Sequence, residues 1–120
     1  MSSAETFRAY LTRFTSGDVA GAGELLAEDF VFVGPMLQAS SKAEFLAGSA
    51  PAAAMASGCT MHRQWEDGDE VCSIYDFGIQ TPSGAASIPM VEWSVIREQK
   101  LVSSRLFFDT AAMAAPTPTG

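Results

Sequence analysis

An α+β domain is expected, with three N-terminal helices packed on one face of a curved, mostly antiparallel sheet to make a cone. Three features predict it. Helical periodicity with capping signals fills the first half, strand periodicity fills the second, and the turns between the strands are too short for anything but antiparallel neighbours.

Ser2 and Glu5 have capping-box spacing, and Phe7, Tyr10, Leu11 and Phe14 follow at the intervals of one helix face. An amphipathic helix ending near Gly17 follows from them. Asp18 caps a second helix with Val19, Ala22, Leu25 and Leu26 on one side. Phe30 to Val33 is a short run of aromatic and β-branched residues that Gly34-Pro35 stops. Ser41 and Glu44 repeat the capping box and open a third helix that carries Phe45 and Leu46 inward. Pro51 is expected to start a separate Ala-rich turn or helix, ended by Gly58. From Cys59 the period becomes that of strands, over 59–66, 70–79, 86–96 and 101–108. Asp67-Gly68-Asp69, Pro82-Ser83-Gly84 and Arg97-Glu98-Gln99 separate them. There is no internal repeat. Residues 1–110 read as one domain, and 111–120, ending in PTPTG, as a flexible tail.

Composition narrows the function classes. A chain of 120 residues with 48% hydrophobic and 18% charged side chains is one core-rich folded domain. A net charge of -7 excludes a phosphate-binding surface, so neither nucleic acid nor an anionic membrane is an expected partner. The N-terminus MSSAETFRAY has no signal pattern and no run is long and apolar enough for a membrane span, which makes the cytoplasm the expected location. Cys59 and Cys72 fall on neighbouring strands but several residues apart along the ladder, about 15 Å at the usual strand rise. Both are expected as free apolar residues. One histidine and scattered acids lack metal-ligand spacing, and no phosphate loop or nucleophile elbow is present. No metal or cofactor is expected.

On the two middle strands, alternation groups Tyr75, Phe77, Val91, Trp93 and Val95 on one side of the sheet. Cys72, Ile74, Asp76, Met90, Glu92 and Ile96 fall on the other. Both sides are apolar. The helices cover one, and a second copy of the chain is the simplest cover for the other, which predicts a homodimer.

Hairpin register sharpens the site. Pairing across Pro82-Ser83-Gly84 can set Asp76 directly opposite Glu92, about 5 Å apart, where one carboxyl would hold its proton near neutral pH. Pairing across Asp67-Gly68-Asp69 then brings His62 opposite Ile74 and diagonal to Asp76. A one-residue slip instead turns these side chains to the other face. Phe14, Phe32, Met36, Ile74, Met90, Leu106 and Phe108 are the expected ligand-binding lining, with the methionines as adaptable fillers.

Two segments carry a resemblance. FRAYLTRFTSGDVAGAGELLAEDFVFVGP and YDFGIQTPSGAASIPMVEWSVIREQKLVSSRLFFD are similar to the nuclear transport factor 2-like superfamily, which includes SnoaL-like polyketide cyclases, ketosteroid isomerases and limonene-epoxide hydrolases. The resemblance implies the cone fold but not one reaction. By the same resemblance Tyr10 takes the place of the isomerases' helix tyrosine, and Glu92 that of their protonated acid. Their catalytic base falls on Gly34, which has no side chain. Of the epoxide hydrolases' set, Asp76 matches one acid, while Leu106, Ile74, Phe32 and Gly34 replace the other acid, the arginine, the tyrosine and the asparagine. Neither set is complete, so neither activity is expected.

Two functions remain open. One is a cofactor-free acid–base enzyme of isomerase, cyclase or hydrolase type on a small apolar or cyclic substrate. In it Glu92 and Asp76 serve as acid and base, Tyr10 as donor and His62 as an alternate base. The other is a non-catalytic module that binds a small ligand or serves only as a dimeric partner.

Overall fold

The computed structural model describes residues 1–114. Helix α1 (Ser3–Thr15) starts at the capping box the sequence announces: Glu5 N donates to Ser2 Oγ at 3.1 Å, and Ser2 N donates back to Glu5 Oε1 at 3.0 Å. Phe7, Tyr10, Leu11 and Phe14 form its buried face. Each fully buried side chain of this size contributes about 1.5–3 kcal/mol. Asp18 caps α2 (Val19–Glu24) by accepting from Gly21 N at 2.9 Å. Ser41 caps α3 (Lys42–Met55) in the same way through Glu44 N.

Helix α3 corrects one expectation. Pro51 lies inside this single helix and starts no new one, and Gly58 lies beyond its end, in a strand. The proline removes one N–H donor, and its unpaired acceptor would be the carbonyl of Ala47, an exposed residue.

Among the described residues, six strands form one sheet in the order β2-β1-β6-β5-β4-β3. They are β1 (Leu26–Val33), β2 (Gln38–Ala39), β3 (Ala56–Asp67), β4 (Glu70–Thr81), β5 (Gly84–Arg97) and β6 (Lys100–Phe107). Only β1 and β6 pair in parallel. The sheet is thus mostly antiparallel, and bulges between Met61 and Arg63 and between Val95 and Ile96 help to bend it. Helix α1 packs across β3, β4 and β5, and α3 across β1 and β2, which leaves a cavity between helices and sheet. A short α4 (Thr110–Ala114) occupies the start of the segment expected as a tail over 111–120; its remainder lies outside the described residues.

Register overturns the face assignment. The turn between β4 and β5 holds only Pro82 and Ser83, with Thr81 opposite Gly84. Asp76 therefore faces Pro89, and Glu92 faces Ser73. This differs from the expected pairing by an odd number of residues, so one strand's faces exchange relative to the other's. The inner face carries Tyr75 and Phe77 with Met90, Glu92 and Ile96; the outer carries Cys72, Ile74 and Asp76 with Val91, Trp93 and Val95. Cys59 and Cys72 are both free. Among the described residues, no helix is long and apolar enough to cross a membrane.

Candidate functional site

The inner cavity measures about 270 Å³, close to the lower end of the roughly 300–1,000 Å³ range of ligand pockets. Its walls are almost wholly apolar. Among the expected lining residues, Phe14, Phe32, Met36, Met90, Leu106 and Phe108 all border it, but Ile74 does not, because it belongs to the outer face. Met36 is 62% exposed, so a flexible thioether stands at the opening. Gly34 also borders the cavity. A Cβ there would meet the Phe32 ring at 2.9 Å, so the missing side chain makes room for that ring.

Glu92 reaches this space from the middle of β5 and is only 3% exposed. Tyr75 on β4 donates its hydroxyl to Glu92 Oε1 at 2.7 Å, which occupies one oxygen. Glu92 Oε2 has no hydrogen-bond partner among the described residues. Among the nearby serines, Gln64 donates to Ser73 Oγ at 3.1 Å, and Ser94 and Ser104 share a bond of 2.6 Å, with the Ser104 hydroxyl close enough to act on the Glu92 carboxyl. Burial raises the Glu92 pKa from 4.5 to about 7, against the opposing pull of the Tyr75 and Ser104 hydroxyls. The carboxyl can therefore hold or release a proton near neutral pH.

Tyr10 stands beside it. Burial first, and the charge of Glu92 second, raise the Tyr10 pKa well above its ordinary value. Its hydroxyl thus stays protonated and keeps a proton to donate. Tyr75 is raised in the same direction, by burial first and then by Glu92. Tyr10 and Tyr75 both pack on Phe7, with ring centroids 5.9 and 6.2 Å away, so the two phenols flank one acid.

Asp76 and His62 do not join this site. They lie together on the outer face, with His62 Nε2 2.9 Å from Asp76 Oδ2. The expected diagonal contact between them is present, but the expected Asp76–Glu92 pair is not, since β4 projects Asp76 away from the cavity. His62 sits at the bulge between Met61 and Arg63, where Arg63 takes the expected place opposite Ile74. Tyr75, the acid's direct partner, is missing from the expected site residues because the sequence pattern groups it on the side of the sheet opposite Glu92. Ser49 on α3 is also missing. It borders the cavity with its Oγ buried and unpartnered among the described residues.

Comparison with known proteins agrees with this architecture. No curated protein matches the chain at a significant level. Solved structures match over nearly the full length. IdmH from Streptomyces antibioticus, described as a candidate polyketide cyclase, shares 19% identity at a TM-score of 0.83, covering 96% of this chain and 97% of its own. An NTF2-like protein of unknown function from Cytophaga hutchinsonii shares 18% identity at 0.78, covering 95% and 96%. A hypothetical protein from Catenulispora acidiphila, with a ketosteroid isomerase-like fold and in complex with trimethylamine, shares 19% at 0.76, covering 88% and 85%. The SnoaL-like domain profile matches residues 7–104. With that match over most of its length, the chain belongs to the SnoaL-like domain family, and its α+β cone is the NTF2-like fold.

Proposed function

We propose that the cavity binds a small, largely apolar cyclic molecule and that Glu92 carries out cofactor-independent acid–base chemistry on it, of isomerase or cyclase type. The observation that carries this reading is a buried carboxyl with one oxygen tied to Tyr75, the other unpartnered, and a pKa of about 7. In the proposed step Glu92 takes a proton from a carbon next to a carbonyl. The Tyr10 hydroxyl donates to the oxygen on which charge develops. The proton then returns to another carbon, or the enolate carbon adds to a second carbonyl carbon of the same molecule, closing a ring as that C=O π bond opens to an alkoxide that takes the proton back from Glu92. With Asp76 on the outer face, Glu92 serves as both base and acid. The relatives are in keeping with a small-molecule ligand: one is described as a candidate polyketide cyclase, and another is in complex with trimethylamine.

Hydrogen–deuterium exchange at the α-carbon of 1-tetralone tests the reading without knowledge of the natural substrate. Exchange should accelerate over the buffer rate, with a pH midpoint near the Glu92 pKa of about 7. Glu92→Gln should lower it by about 10²–10⁴-fold. Binding of 1-tetralone without accelerated exchange would reduce the domain to a ligand-binding module.

A second copy of the chain is the proposed cover for the outer face. Trp65, Trp93 and Phe107 are 47%, 44% and 50% exposed there, around the half-buried Ile74 and Val91. Arg63 and Arg105 lie on the same face as Glu70 and Asp76. A face with both charges suits the self-complementary contact of a two-fold dimer.

A further inference from the structure

We infer that Ser49 is a second polar anchor for the ligand, and that the molecule recognised is a flat bicyclic or larger ring system carrying oxygen functions at both ends. The inference rests on the proposed ligand site and adds a recognition element to it.

Ser49 is 7% exposed and borders the cavity, and its hydroxyl has no partner among the described residues. A serine within a helix commonly bonds the carbonyl four residues earlier. Here that would be Phe45, and the bond is absent. Leaving a buried hydroxyl unpaired is destabilising, because it loses its bonds to water and gains none in return. Among the described residues, Glu92 Oε2 is the other buried side-chain oxygen in the same condition, and both residues line one cavity. Two unsatisfied oxygens in an otherwise apolar pocket are accounted for together if a ligand supplies the partner for each.

The fold keeps the two apart. Glu92 belongs to the sheet wall, beside Tyr75, whereas Ser49 belongs to the helix wall, one turn beyond Phe45 on the same side of α3. Aromatic rings line the cavity that both residues border. Tyr10 packs on Phe14 with centroids 6.1 Å apart, and Phe14 on Phe45 at 6.2 Å. A ligand that meets both poles must lay an apolar, flat body along these rings and present a carbonyl or enol at Glu92 and a hydroxyl or carbonyl at Ser49.

The test compares 1-tetralone with 6-hydroxy-1-tetralone, whose added hydroxyl lies on the ring remote from the ketone. Isothermal titration of the whole chain should show the hydroxylated probe binding roughly three- to tenfold more tightly, the worth of one neutral hydrogen bond. In Ser49→Ala that ratio should collapse to about one. The ligand-free Ser49→Ala protein should unfold at the same temperature as the parent or higher, since a merely structural serine would lose stability. Equal affinities in the parent, no binding of either probe, a preference that survives in Ser49→Ala, or a destabilised ligand-free variant would each overturn the assignment. Failure here with α-exchange of 1-tetralone intact would remove Ser49 alone. Loss of α-exchange with the hydroxyl preference still dependent on Ser49 would instead remove the catalytic reading.

Discussion

Glu92→Gln separates a desolvated carboxyl from an ordinary one through the pH dependence of stability. The folded pKa of Glu92 is raised from 4.5 to about 7, so the folded chain binds the proton more tightly than the unfolded chain does. The stability contribution is therefore fully present below pH 4.5 and lost as pH rises through 7. Each tenfold difference in proton affinity is worth about 1.4 kcal/mol, so the loss reaches about 3 kcal/mol by pH 8, or about 10 °C in melting temperature for a domain of this size. Gln keeps an oxygen to accept from Tyr75 but places an amide where Oε2 had no partner, a pH-independent cost of about 1–3 kcal/mol. The variant should thus be less stable than the parent at pH 4.5 and draw level with it or overtake it by pH 8. Urea unfolding of both proteins at a series of pH values measures this. Other carboxyls titrate alike in the two proteins and cancel in the difference. A difference that stays constant from pH 4.5 to 8 would refute the claim that burial governs this carboxyl. Asp76 lies on the other face, so burial alone must account for the effect.

Tyr75→Phe removes the hydroxyl that lowers the Glu92 pKa, so the pH at which stability is lost should move upward and the loss at pH 9 should deepen. The same urea series reads this, and an unchanged midpoint would show the hydrogen bond to be idle. Asp76→Asn should leave 1-tetralone binding and α-exchange at parental levels because Asp76 pairs with His62 outside the cavity; a fall of tenfold or more would return it to the site. Trp93→Glu should leave the fold intact, since Trp93 is 44% exposed in the single chain, but should break the proposed dimer by placing an unpaired charge in a dry contact. Analytical ultracentrifugation at micromolar concentration decides it, and a parent that sediments as a monomer would end the proposal.

The helices and strands were legible because their signals are local. Ser2 with Glu5, Asp18 and Ser41 with Glu44 are caps that act within one helical turn, and all three helices begin where those residues place them. Failures at the next level have equally local causes. Pro51 reads as a helix start, yet packing keeps α3 continuous through it. Strand β1 reads as four residues from Phe30, but parallel pairing with β6, a contact distant in sequence, extends it back to Leu26.

By itself the sequence determined the α+β class, the helix starts, the strand meander and the presence of Glu92 in an apolar strand. It also supplied the SnoaL-like resemblance that the profile match supports. Which acid meets the cavity was decided only by tertiary structure. Strand faces alternate residue by residue, so the two-residue turn at Pro82-Ser83 fixes a parity that composition cannot express. That parity turns Glu92 inward beside Tyr75 and Tyr10, and Asp76 outward beside His62. The pKa of Glu92 and the unpartnered hydroxyl of Ser49 follow from burial by residues far away in the chain, and burial of that kind exists only once helices and sheet have closed over the cavity.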